Sequence, residues 1–126
     1  MEQQYNIFGQ ELIPCSSDPL TGYFRDGCCN TDQTDIGVHT VCIVATEPFL
    51  DYSKAVGNDL STPMPEWSFP GVLAGEKWCL CAKRFLQAHE AGFAPKVVLE
   101  ATNEKTLDVV PMDVLIEHAY YSKQES

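Results

Sequence analysis

The spacing of apolar positions predicts one central strand followed along the chain by three helices. His39-Thr40-Val41-Cys42-Ile43-Val44-Ala45 is β-branched and nearly unbroken in its apolar part, as a strand covered on both faces reads. A helix is predicted next. Thr46 can cap it, Glu47-Pro48 suit its first turn, Phe49, Tyr52 and Val56 share a face, and Gly57 stops it. Lys77–Cys81 reads as a strand. Ala82, Phe85, Leu86 and His89 then follow the i, i+3, i+4, i+7 spacing of a helix face ended by Gly92. Pro111 opens a last helix on which Met112, Leu115, Ile116 and Ala119 repeat that spacing.

Between these elements the pattern weakens. Asn6–Gln10 and Glu11–Ile13 read as two short strands around Gly9, and Lys96–Ala101 and Thr106–Val110 as a hairpin turning at 102–105. Ser16–Pro19, Asp26-Gly27 and 30–37 are turn-forming stretches. Residues 58–76 carry Pro63, Pro65, Pro70, Gly71 and Gly75, which exclude regular structure over most of that length. A connection this long in a small domain is usually functional or a packed lid, and Trp67 and Phe69 favour packing. The expected fold is therefore α+β: a small mixed, largely antiparallel sheet, about three helices and a long irregular Pro/Gly-rich loop.

Composition sharpens this picture. With 126 residues, 44% hydrophobic and 21% charged, the chain has the make-up of one packed domain over 1–126. Its net charge is −10, and residues 1–60 hold nine acids against Arg25 and Lys54 alone. Such a field repels phosphate backbones, so neither nucleic acid nor an anionic membrane is an expected partner. No apolar run approaches the ~20 residues that span a bilayer, and Met1-Glu2-Gln3-Gln4-Tyr5 lacks the basic start and apolar run of a signal peptide. The expected compartment is the cytoplasm, where the six cysteines are reduced thiols, small core residues or metal ligands.

Candidate chemistry falls in three groups. Cys79 and Cys81 stand two apart, so on a strand both sulfurs share a side, whereas on a helix they stand about 200° apart. Either is a candidate nucleophile with His39 as base, if the two strands are neighbours, and Asp26 or Asp59 orienting the imidazole. A structural zinc ion drawn from Cys28, Cys29, His39, Cys79 and Cys81, with Cys42 in reserve, is a further reading, although no C-x₂-C pair occurs; otherwise no cofactor is expected. His89 reads as a half-buried helix residue and His118 as an exposed one.

The third group is polar. Arg25-Asp26 and Asn58-Asp59 lie in turn-rich segments, where Asp and Asn ordinarily bond nearby amides and shape the loop. Arg25 either ties loops together or clamps a carboxylate or phosphate ligand. The leading expectation is a domain that binds a small ligand or a protein through a polar pocket under the 58–76 loop, rimmed by Arg25, Asp26, His39, Asn58 and Asp59. Walker, G-x-G-x-x-G, H-E-x-x-H, G-x-S-x-G and EF-hand patterns do not occur, which removes the usual support for nucleotide, zincin and hydrolase-elbow readings.

Three blocks are more specific. Asp18-Pro19-Leu20-Thr21-Gly22-Tyr23-Phe24-Arg25-Asp26-Gly27-Cys28-Cys29, Gly57-Asn58-Asp59-Leu60-Ser61-Thr62-Pro63 and Trp78-Cys79-Leu80-Cys81-Ala82, in this order, resemble the small bacterial proteins grouped as domain of unknown function 2237. The likeness runs from about Asn6 to Ala119. It implies a stand-alone cytosolic domain and brings no activity, substrate or cofactor. Two positions depart from the pattern: Asn103 stands where a histidine is usual, and Phe85 where a tryptophan is usual. His39 matches it.

Overall fold

A computed structural model describes residues 3–67 and 69–121, with the Trp67 side chain outside that description. Three strands form one sheet in the order β2-β1-β3, where β1 is His39–Val44, β2 is Lys77–Cys81 and β3 is Lys96–Val97. Both pairings are antiparallel, and an isolated parallel bridge joins Val97 to Ala119. Three α-helices accompany the sheet: α1 (Glu47–Ala55), α2 (Ala82–Ala91) and α3 (Met112–Glu117). The α+β architecture is the one the apolar spacing predicts.

The local signals act as their chemistry requires. The Thr46 hydroxyl accepts the amide of Phe49 at 3.3 Å and so caps α1, and Gly92 ends α2 in the left-handed conformation at φ 85°. β1 is the sheet's middle strand, with Val41, Cys42 and Ile43 fully buried. Side chains alternate across it. Val41 and Ile43, with Trp78 and Leu80 of β2, face the main core, where Phe49 and Leu50 of α1 and Ala82, Phe85 and Ala88 of α2 close over them. Cys42 and Cys79 face the other way, into a second cluster with Cys15, Cys29 and Ala101.

Two expected pairings do not form. Residues 5–13 make isolated bridges, Tyr5 to Glu11 and Asn6 to Asn103, in place of two strands. The hairpin at 96–110 is replaced by the two-residue β3 and two 3₁₀ turns, Leu99–Ala101 and Glu104–Asp108. Side chains take the bonds a hairpin ladder would have used. The Asn103 carboxamide accepts the amide of Lys105 at 2.9 Å, and the Thr102 hydroxyl donates to Val98 O and accepts the amide of Cys42. Among the described residues no helix is long and apolar enough to cross a membrane.

Candidate functional site

The outer edge of β2 forms one wall of a cavity of about 540 Å³. Four consecutive residues, Trp78 to Cys81, line it, which is possible only where a cavity runs along a strand's edge and meets both its faces. Asn58, Asp59, Leu60, Met64 and Phe69 of the long loop form the facing wall. Gly22, Tyr23, Arg25, His39 and Arg84 complete it. Of the residues expected to rim a pocket, Arg25, His39, Asn58 and Asp59 line this cavity and Asp26 does not.

The loop is held by its own polar groups. Ser53 ties it to α1 through the Asn58 backbone: the Asn58 amide donates to Ser53 O at 2.8 Å, and the Ser53 hydroxyl donates to Asn58 O at 2.6 Å. The Asp59 carboxylate accepts from the amide and hydroxyl of both Ser61 and Thr62, and the Thr62 hydroxyl above all holds it below the usual carboxylate range. Asp59 therefore shapes the rim and does not orient His39. Asp26 lies outside the cavity lining, its carboxylate accepting from the Cys28 amide and the Asn30 carboxamide.

Asp35, which the sequence reading missed, is the residue that orients His39. Its fully buried carboxylate places Oδ1 2.6 Å from His39 Nδ1, while Oδ2 accepts the His39 amide and the Thr31 hydroxyl. With Nδ1 engaged, Nε2 is the ring nitrogen left to exchange a proton with a group in the cavity. The i, i+4 spacing within a turn-rich stretch was the available signal. Tyr23 lies nearly parallel to the imidazole, 6.2 Å between centroids.

His39 and Cys81 are Cα partners across β1 and β2, next to an irregularity in the register between His39 and Val41. The preceding residue, Val38, has φ 51°, and Arg25 has φ 56°; these are the positive-φ residues other than glycine among those described. A β-branched residue pays for that conformation in strain, and such strain concentrates at functional sites. Here one strained residue lines the cavity and the other precedes one that does.

Charge in the cavity lining comes from Arg25 and Arg84, the two arginines of the chain, and from the Asp59 carboxylate on the facing loop wall. The Arg25 guanidinium sits 5.2 Å from the Trp78 ring centroid and donates to Gly22 O at 3.4 Å. Arg84 donates to Val56 O and to the Gln87 side chain. Neither is paired with a carboxylate among the described residues. Trp78 packs edge-on against Phe69 at 5.3 Å, so an aromatic wall stands beside the two cations. Arg84 was not anticipated, because its helical position shows nothing of the loop it faces.

Four of the six cysteines are bonded, Cys15 to Cys42 and Cys29 to Cys79. This corrects the expectation that the cysteines are reduced thiols, small core residues or metal ligands: these four are core residues, but bonded in pairs. It also removes Cys79 as a free nucleophile, leaving Cys81 and Cys28 as thiols, each half-buried. Cys81 lines the cavity; Cys28 does not. Burial, and then the Asp26 charge, pushes the Cys28 thiol up from its ordinary value. The zinc set drawn from Cys28, Cys29, His39, Cys79 and Cys81 is not assembled, since Cys29 and Cys79 bond each other and His39 is held by Asp35. The sulfurs that do converge are those of Cys15, Cys29 and Cys79, within 4.8 Å of one another.

Away from the cavity, Asn103 is buried, and its carboxamide donates to the Gln4 side chain at 2.6 Å and to Cys29 O at 3.1 Å, tying the N-terminal segment to the sulfur layer. His118, expected on the exposed side of the last helix, is instead half-buried, its side chain 19% exposed, and its Nε2 lies 2.9 Å from Nδ1 of the half-buried His89.

No curated protein matches the sequence. The model of a family described as "Uncharacterized protein conserved in bacteria (DUF2237)" matches residues 5–119, the span that contains the whole cavity and both disulfides, and the chain belongs to that family.

Proposed function

We propose that the protein binds a small organic anion in the cavity along the outer edge of β2. One observation carries this reading: both arginines of a chain with eighteen acidic residues reach the same cavity, and neither meets a carboxylate among the described residues. A guanidinium amid such an acid excess ordinarily forms an internal fork, and a planar pair of donors without its carboxylate suits a carboxylate or phosphate from outside. The volume, about 540 Å³, falls in the range for small-molecule sites, and Trp78, Phe69, Leu60 and Met64 offer apolar surface to the body of the ligand.

Thermal melting in the presence of aliphatic and aromatic carboxylates and of organic phosphates tests this. At least one of these classes should raise the midpoint, identifying the anion, and Arg84→Gln should abolish that rise while leaving the ligand-free midpoint within a few degrees. No rise with any anion, or a full rise in the variant, overturns the reading.

A second reading is supported by Cys81, His39 and Asp35. Asp35 orients the His39 imidazole, and His39 is the Cα partner of the free thiol Cys81, a pairing from which a base can withdraw a thiol proton once the two side chains meet. In this reading His39 Nε2 takes the Cys81 proton, and the thiolate adds to a carbonyl carbon of the bound anion, the C=O π pair moving to the oxygen, which takes that proton back from His39.

A further inference from the structure

A cluster of metal-ligating side chains lies away from both the cavity and the disulfides, where α2 and α3 end. We propose that His89, Glu117 and His118 form a binding site for a divalent transition-metal ion of the Zn²⁺ type. The three side chains converge on His118 Nε2. His89 Nδ1 lies 2.9 Å from it and Glu117 Oε2 3.7 Å, and the three donor atoms all fall within 4.8 Å of one another. A hydrogen-bonded pair of imidazoles needs no third group, whereas here a carboxylate approaches the same nitrogen.

The fold fixes two of the three donors. His89 occupies the last turn of α2, one turn beyond Phe85 on the same helix face. Phe85 is fully buried and packs edge-on against the His118 ring, 5.8 Å between centroids. Glu117 ends α3 and His118 is its C-cap. The chain there is tied to β3: the Val97 amide donates to His118 O at 2.8 Å, and the Tyr120 amide to Val97 O at 2.7 Å. The Glu117 side chain, 62% exposed, is the donor left to swing. Two helix C-termini thus meet at the cluster, and their carbonyl ends favour a cation. At the His118 ring the attraction of Glu117 for positive charge outweighs the repulsion from Lys96.

The spacing suits such an ion. Metal–nitrogen bonds of about 2.0–2.1 Å set two nitrogens about 2.9 Å apart at a right angle and about 3.4 Å apart at the tetrahedral angle. The observed imidazole spacing matches the first and is about 0.5 Å short of the second. Two imidazoles and one carboxylate select a transition ion over magnesium or calcium, and three protein donors leave a position for water or a further ligand. Without the ion, one of the two facing nitrogens carries the proton of their hydrogen bond. On binding, that proton moves to the far nitrogen of the same ring, so both rings ligate as neutral imidazoles.

The test uses the full chain, freed of metal with a chelator, its two free thiols Cys28 and Cys81 first blocked with iodoacetamide so that neither can bind the ion. Calorimetric titration with Zn²⁺ should saturate at one equivalent. The imidazole ¹⁵N signals of His89 and His118 should move on binding, while those of His39, the third histidine of the chain, stay in place. His89→Gln and Glu117→Gln should each weaken binding by at least about tenfold, the lower bound for losing even an outer partner of a metal site. If His89→Gln does not fold, the ¹⁵N pattern and Glu117→Gln still decide, since Glu117 is exposed. No saturable binding, movement of the His39 signals in place of the other two, or unchanged affinity in Glu117→Gln overturns the proposal.

Discussion

The buried carboxylate of Asp35 holds His39 at two points, its ring Nδ1 and its backbone amide, and holds the Thr31 hydroxyl as well. Asparagine in its place keeps the shape but offers one acceptor oxygen where the carboxylate has two. An amide NH₂ turned toward Nδ1 would force the imidazole into its other tautomer, with the proton on Nε2. Asp35→Asn is expected to cost about 1–3 kcal/mol of stability, the range for an unsatisfied buried polar group. It should also move the proton between the His39 nitrogens. Urea denaturation and imidazole ¹⁵N shifts measure the two effects separately.

How far the site was legible follows from the same residues. Lys77–Cys81 could be read as a strand because no proline or glycine interrupts it, and a strand beside β1 brings Cys81 to His39. Asp35 could not be chosen over Asp26 or Asp59, because all three sit among turn formers and only the folded 31–38 segment shows which carboxylate is left for the ring. The arginine pair had the same difficulty: Arg84 lies on α2 and Arg25 in a turn. Cysteine pairing depends on which loops cross behind the sheet, and spacing does not encode that. Thr102 and Asn103, whose side chains bond to backbone, turned a valine-rich hairpin pattern into 3₁₀ turns.

Gly22 and Gly57 separate steric from conformational cost. Both have positive φ, 101° and 94°. A Cβ on Gly22 would meet the Cys28 carbonyl oxygen at 2.4 Å, whereas one on Gly57 would meet nothing within 4 Å. Gly57→Ala should therefore cost about 1 kcal/mol, the backbone term alone. Gly22→Ala should cost more than about 2 kcal/mol, because backbone must move as well. Denaturant midpoints of the two variants against the parent give the difference, and Gly22→Ala should additionally disturb the cavity it lines.

His118 makes stability depend on pH. Burial, first, and the nearby His89 and Lys96 charges lower its pKa, and Glu117 only partly opposes them. A histidine depressed in the fold binds its proton more readily unfolded, so the unfolded chain takes up more protons between the two values. The contribution is complete above the ordinary histidine value, about 6.5, and is lost as pH falls through the lower folded one. Two donors are set against each other at the 2.9 Å contact only when both His118 and His89 are protonated. Urea midpoints should fall between about pH 7 and pH 5, and His118→Gln should flatten that part of the profile. An unchanged slope in the variant would assign the dependence elsewhere.

The two thiols should differ in reactivity. The thiolate is the reacting species, and Cys28 is held as the neutral thiol by burial and by Asp26, whose carboxylate also accepts the Cys28 amide. Cys81 opens on a cavity with two guanidinium groups and lies across the strand pair from His39. Iodoacetamide at neutral pH should label Cys81 before Cys28. His39→Gln should slow Cys81 and leave Cys28 unchanged. Asp26→Asn should quicken Cys28 and leave Cys81 unchanged, because that charge acts on one sulfur only. Peptide mapping over a time course resolves both rates in one sample, and equal slow labelling of the two sulfurs would remove the thiol reading while leaving anion binding intact.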